Sequence, residues 1–211
     1  MIYTKEFVWL HFPKCAGTKV EQLFKKYFYK REGLFQDAVG LANDPSIAWH
    51  DSIADREARD PGFSLGTRTV ICSFRKLPFW LESRYNFEAQ RSPDLSHRPD
   101  LLLEGKFLEA DGFENHADNY VKKYLPQHIL ESGNVRFLRT EFFESDFKSI
   151  FGDFLDISQI LDGEFKRKVN ASKRCVPANV REQLYGAPEK IYKNCPYWRV
   201  VDEMVYGIQV P

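Results

Sequence analysis

The sequence predicts an α/β fold with a mainly parallel central sheet, and three short segments carry that prediction. Phe7-Val8-Trp9-Leu10-His11 is a short apolar run rich in β-formers and reads as a buried strand, Thr69-Val70-Ile71-Cys72-Ser73-Phe74 is a second buried strand, and Val135-Arg136-Phe137-Leu138 is a third, short one. Each is followed by a stretch whose apolar residues fall at helical spacing. Strands alternating with helices favour parallel pairing, with helices covering both faces of the sheet. A chain of 211 residues supports one such domain with a sizeable core, so the expected organisation is a single domain over 1–211.

Taken in order, the first strand ends at His11, and from Thr18 the positions Val20, Leu23, Phe24, Tyr27 and Phe28 predict an amphipathic helix to about Lys30. Arg31 to Ser46 holds Gly33, Gly40, Asn43, Asp44 and Pro45 and reads as loop-rich. A short helix is expected near His50, with Asp51 and Ser52 as capping candidates, ended by Pro61-Gly62. After the strand Thr69–Phe74, Pro78 suits the first turn of a helix reaching about Ala89. Arg91 to Pro99 reads as a mobile surface insertion, and Phe113 to Tyr124 as a helix. Glu141 opens a helix through about Phe151. Pro177 to Tyr206 reads as helices interrupted at Gly186-Ala187-Pro188 and at Pro196.

Composition narrows the function classes. Lys and Arg together number 30, as do Asp and Glu, so the long-range field expected of a nucleic-acid binder is absent and any cationic site must be local. No run of about 18 apolar residues predicts a membrane span. The four cysteines, Cys15, Cys72, Cys175 and Cys195, lack C-x-x-C spacing, so neither a zinc site nor a disulfide framework is expected. With no signal segment ahead of the first strand, the expected location is cytoplasmic.

The segment richest in chemistry joins the first strand to the first helix: His11-Phe12-Pro13-Lys14-Cys15-Ala16-Gly17-Thr18-Lys19. A strand, a short loop and a helix start together aim backbone N–H groups and the positive end of a helix at an anion. The order differs from the ATP-binding G-x-x-x-x-G-K-[ST] loop, because Phe12 stands at the first Gly and Lys14 precedes Gly17. A nucleotide anion without a Mg-bound triphosphate is the implied ligand. The second strand ends at Arg75, and Ser83 lies two turns into the following helix; a guanidinium fork and a hydroxyl suit a phosphate.

Together these two segments resemble the sulfotransferases that use 3′-phosphoadenosine 5′-phosphosulfate (PAPS), closest to the carbohydrate sulfotransferase branch and its bacterial relatives. The family's His-x-Pro-Lys-[Thr/Cys]-Gly-Gly-Thr-Ser segment is matched by His11 to Lys19. Its Arg-x-Pro-x-x-Arg-x-x-Ser-x-Tyr segment is matched in spacing by Arg75, Ser83 and Tyr85. Further echoes are Phe137 to Glu141 with Asp146-Phe147, and Val169 to Arg174, followed by the Tyr/Pro/Trp-rich tail Ile191 to Tyr206. Departures are Ala16 for a Gly, Lys19 for a Ser, Pro78 one position late and Trp80 where an Arg is common.

The resemblance implies a three-layer, P-loop nucleotide-hydrolase-like sulfotransferase fold. It also implies sulfuryl transfer from PAPS to a hydroxyl of a carbohydrate or small metabolite, with no metal, nucleic acid or membrane involved. Pro13, Lys14, Cys15, Ala16, Gly17, Thr18 and Lys19 would bind the 5′-phosphosulfate, and Lys14 would neutralise the charge on the departing phosphate. Arg75 and Ser83 would bind the 3′-phosphate, with Ser172, Lys173 and Arg174 closing over it. His50 lies between the two phosphate segments and is the expected base, since imidazole suits proton abstraction near neutrality. Glu21 is the alternative base, weighed against a solvated helix face, while His11 is expected to pack or hydrogen-bond beneath the loop. His97, His116 and His128 read as surface residues. Tyr85, Trp80 and Trp198 are open between adenine stacking and core. Two other classes stay open: a nucleotide or small-molecule kinase on a P-loop fold, and a non-catalytic nucleotide-binding module.

Overall fold

The three expected strands become neighbours at one side of a single sheet, the last of them at its edge. A computed structural model describes residues 1–37, 48–93, 97–109, 111–167 and 173–207. Its elements, in order, are β1 (Ile2–Tyr3), β2 (Phe7–Leu10), α1 (Gly17–Tyr27), β3 (Phe35–Gln36), α2 (Ile53–Arg59), β4 (Thr69–Phe74) and α3 (Leu77–Arg91). There follow β5 (Lys106–Leu108), β6 (Glu114–His116), α4 (Ala117–Tyr124), α5 (Gln127–Glu131), β7 (Val135–Arg139), α6 (Phe143–Gly152), α7 (Asp162–Lys166), α8 (Ala178–Gly186), α9 (Pro188–Asn194) and α10 (Pro196–Tyr206). The chain divides into two compact units, Met1–Phe74 with Pro126–Asn170, and Arg75–Leu125 with Ala171–Pro211.

The first unit holds a five-stranded sheet in the order β3-β1-β2-β4-β7. β2, β4 and β7 are parallel, with Phe7 opposite Thr69 and Val70 opposite Val135, while β1 pairs antiparallel with both β2 and β3. The architecture is therefore α/β on a mixed, mostly parallel sheet. All four β2 side chains are fully buried, as a strand covered on both faces requires. On one face Phe7, Trp9, Ile71 and Leu138 meet Val20 and Phe24 of α1 and Phe147 and Phe151 of α6 in a core dense in phenylalanine. Trp9 Nε1 donates to Ser73 Oγ at 2.9 Å, which fixes β2 against β4 without leaving the buried indole N–H unpaired. At the C-terminal end of β7, Arg139 is gripped by Asp146 through two side-chain bonds of 2.8 Å, and Thr140 Oγ1 bonds the Phe74 carbonyl at 2.9 Å.

The second unit is mainly helical, with a two-stranded ribbon. β5 and β6 pair antiparallel, Lys106 opposite His116. This corrects the expected helix over Phe113–Tyr124. Gly112 turns the chain at φ 82, and the Glu109 amide bonds the Phe113 carbonyl at 2.9 Å. The helix then starts only at Ala117, capped by His116, whose Nδ1 accepts from the Asp118 amide at 3.2 Å. Trp80, Trp198 and Phe107 are fully buried here and pack with Tyr120. Trp80 and Trp198 are therefore core residues rather than adenine platforms. Tyr85 is also buried, edge-on to His97. The interrupted tail resolves into α8, α9 and α10, the last two with Pro in the first turn. Among the described residues no helix is long and apolar enough to cross a membrane, and all four cysteines are free.

Candidate functional site

In the first unit, β2 runs through the turn His11–Ala16 into α1, so the turn leaves the C-terminal end of a parallel strand, where ligands of such sheets collect. Among the described residues, Lys14 and Ala16 are the two non-glycine residues with positive φ, at 64 and 61. Ala16, the residue ahead of α1, thus keeps the left-handed backbone a glycine would adopt freely, at a cost of about 1–2 kcal/mol. Its carbonyl accepts the first helical amides, those of Lys19 and Val20. The Gly17 and Thr18 amides precede them, no side chain caps the helix, and its first turn holds no acidic residue. That is a favourable setting for an anion.

Beneath this turn lies a buried cluster. The His11 ring packs against Gly17 so closely that a Cβ on Gly17 would stand 1.9 Å from His11 Nε2. Gly17 is therefore required by its own histidine, quite apart from any ligand. His11 Nδ1 lies 2.7 Å from Glu21 Oε1, and Glu21 is only 4% exposed. Glu21 is accordingly not on a solvated helix face; it is the buried partner of His11. Burial raises its carboxyl to about 7 and lowers His11 to about 3.

His50 belongs to the same cluster. Its Nδ1 donates to the His11 carbonyl at 3.0 Å, and the two ring centroids are 4.3 Å apart. A proton on Nδ1 leaves the lone pair of neutral His50 on Nε2. Burial holds His50 down at about 3, so the ring is neutral near pH 7 but a weaker base than the near-neutral imidazole expected from sequence. The segment carrying it is anchored on both sides. The Met1 amino group bonds the Trp49 carbonyl at 3.0 Å and Asp37 at 2.8 Å, and Arg56 bridges Asp37 and Asp51. Ser52 then caps α2: its Oγ accepts from the Asp55 amide, and Asp55 accepts from the Ser52 amide at 2.9 Å.

Lys19 is placed differently from its expected role. Its ammonium bonds the Phe165 carbonyl and lies 4.6 Å from the Phe143 ring centre, while its amide is spent on Ala16. It ties α1 to α7 instead of facing the turn. Pro13 and Cys15 are buried, and Lys14 and Thr18 are half-buried.

In the second unit, Arg75 and Ser83 are half-buried, the latter on the face of α3 that carries Phe79 and Glu82. Phe79 and Glu82, with Lys76, Arg174, Arg181 and Tyr185, line a cavity of about 730 Å³. Glu82 is bound by Arg181 at 2.9 Å and by the Tyr185 hydroxyl, while Arg174 is exposed at the cavity. Burial and the bond to Glu82 raise the Tyr185 hydroxyl, and the Arg75 charge opposes that rise weakly. Of the expected site residues in this unit, Arg174 lines the cavity, while Arg75 and Ser83 are sequence neighbours of the lining residues Lys76 and Glu82 and do not line it themselves. Lys173 is exposed, and its carbonyl accepts from Gln90 at 3.1 Å. Ser172 lies outside the described residues.

Sequence reasoning missed the anchoring set Asp37, Asp51 and Arg56, because charges near a loop read as solvated; only their proximity to His50 in sequence was a signal. Among the described residues no cluster of His, Cys, Asp or Glu is arranged for a metal. The chain matches no protein-family model, no curated protein and no solved structure.

Proposed function

We propose that the chain is a PAPS-dependent sulfotransferase acting on a hydroxyl of a carbohydrate or small metabolite, on a P-loop-type fold. The observation that carries the reading is the turn His11–Ala16, which ends in an uncapped helix start and has His50 bonded to its own backbone. The order Pro13-Lys14-Cys15-Ala16-Gly17-Thr18 on that turn supports a phosphosulfate rather than a Mg-bound triphosphate.

PAPS supplies a sulfuryl group on a good phosphate leaving group. Transfer forms the bond from acceptor oxygen to sulfur and breaks the bond from sulfur to the phosphate oxygen. The amides of Gly17 and Thr18 and the Thr18 hydroxyl would hold the 5′ side, and the Lys14 ammonium would take up the negative charge left on the phosphate oxygen. His50 Nε2 would accept the proton of the acceptor hydroxyl, its ring aimed by the bond from Nδ1 to the His11 carbonyl. The 3′-phosphate falls to Arg75, Ser83 and Arg174.

Calorimetry with adenosine 3′,5′-bisphosphate and with ATP-Mg tests the reading: the bisphosphate should bind the more tightly, and a preference for ATP-Mg would overturn the assignment. His50→Ala should bind the bisphosphate as the parent chain does and lose transfer from labelled PAPS. Undiminished turnover would remove His50 from the mechanism.

A further inference from the structure

The transfer scheme leaves Glu21 without a role, yet it is a carboxyl group buried under the turn that carries Lys14. One oxygen, Oε1, lies 2.7 Å from His11 Nδ1; the other, Oε2, is buried with no hydrogen-bond partner among the described residues. His11 has no room to turn away, since its ring is stacked on Trp9 at 5.4 Å and fills the space where Gly17 would carry a Cβ. The pair must therefore keep one proton between Oε1 and Nδ1 in every charge state.

We propose that Glu21 is a positioning residue that sets the tautomer of His11, and so decides whether His11 Nε2 presents a lone pair or an N–H to the first residue of α1. With Glu21 ionised, His11 Nδ1–H donates to Oε1 and Nε2 carries the lone pair. When the pair gains a proton, the Nδ1 proton passes to the carboxylate, which then donates to Nδ1, and the incoming proton resides on Nε2. One proton is taken up, the pair becomes neutral, and no imidazolium forms.

The surroundings favour this route over charging the ring. The Met1 amino group, Lys14 and His50 are the groups facing the pair with positive or potential positive charge. Asp37 is the facing carboxylate, itself bound to Met1 and Arg56. Burial, the largest cause for both groups, disfavours either charge. The Met1 amino group, when protonated, and Lys14 add to the cost of an imidazolium at His11. The amino group's pull on the Glu21 carboxylate is outweighed by burial, so the carboxyl protonates first, at about 7, and His11 stays neutral down to about 3. Acidification through pH 7 thus exchanges a buried carboxylate beneath the turn for a neutral pair. The bearing of this on transfer rests on the sulfotransferase reading; the tautomer exchange does not.

Imidazole ¹⁵N shifts of the ligand-free chain, followed from pH 8.5 to 5, test the proposal. His11 should move its proton from Nδ1 to Nε2 in one step near pH 7, with the Glu21 carboxyl ¹³C shift moving in the same step. His50 should stay the Nδ1–H form throughout. In Glu21→Gln the step should vanish. A His11 tautomer unchanged across that range would overturn the proposal, as would an imidazolium forming near pH 6.5 or a step that survives in Glu21→Gln. If the variant does not fold, the paired ¹⁵N and ¹³C steps of the parent chain decide alone. Because no nucleotide is present, a failure of the transfer reading leaves this result standing.

Discussion

Gly17 shows how one residue answers two demands. A glycine after a phosphate-binding turn is usually explained by the ligand's need to approach the backbone. Here the His11 ring already occupies the space, with Nε2 1.9 Å and Cδ2 2.0 Å from where a Cβ would be. The histidine cannot yield cheaply, because it is pinned by Glu21, Trp9 and the His50 ring. Gly17→Ala should therefore destabilise the fold by about 1–3 kcal/mol through overpacking, read as a lower midpoint in urea unfolding at unchanged m-value. A control separates this from loss of ligand contact: the loss of stability should appear with no nucleotide present. Stability equal to the parent chain's would mean that His11 does not hold the position described.

Among the elements, α2 is the one that starts just after the expected base. Ser52 and Asp55 satisfy each other's backbone amides, and this box follows His50 by two residues. Losing the Ser52 hydroxyl should cost about 0.5–2 kcal/mol. If transfer depends on His50, Ser52→Ala should lower kcat more than it raises KM, since the nucleotide partners are untouched; an effect on KM alone would detach α2 from the chemistry. How much of this was legible in the sequence differs by element. β2 announces itself as an unbroken apolar run and β4 as a run of β-formers, β7 is short and interrupted by Arg136, and Ser52 was visible as a capping candidate. β1 and β3 have two residues each, too few for any periodicity, and exist because β2 offers an edge to β1 and β1 in turn offers one to β3. β6 was hidden inside the helix-like spacing read over Phe113–Tyr124, and the turn at Gly112 that pairs it with β5 lies just ahead of that span. Glu21 was misread for a related reason. It borders the apolar stripe Val20, Leu23 and Phe24 on α1, and what draws it inside is a hydrogen bond to a histidine ten residues earlier, which helical periodicity does not encode.

At the scale of the whole molecule, the two phosphate-binding segments expected from sequence belong to different compact units, Lys14 to one and Arg75 with Ser83 to the other. If each recognises its own phosphate, their contributions should separate cleanly in ligands that carry one phosphate or two. Adenosine 5′-monophosphate presents only the group assigned to the turn at Lys14, and adenosine 3′,5′-bisphosphate adds the group assigned to Arg75 and Ser83. A charge-assisted hydrogen bond is worth about 1.5–3 kcal/mol, and about 1.4 kcal/mol is a factor of ten in affinity. Arg75→Ala should therefore weaken the bisphosphate by at least about tenfold while leaving the monophosphate nearly unchanged, whereas Lys14→Ala should weaken both. Calorimetry of the two ligands on the two variants reads this directly. Equal weakening of both ligands in Arg75→Ala would mean that Arg75 supports the fold instead of reading the 3′-phosphate. The two-phosphate ligand would then lose the residue that distinguishes it from an ordinary nucleotide.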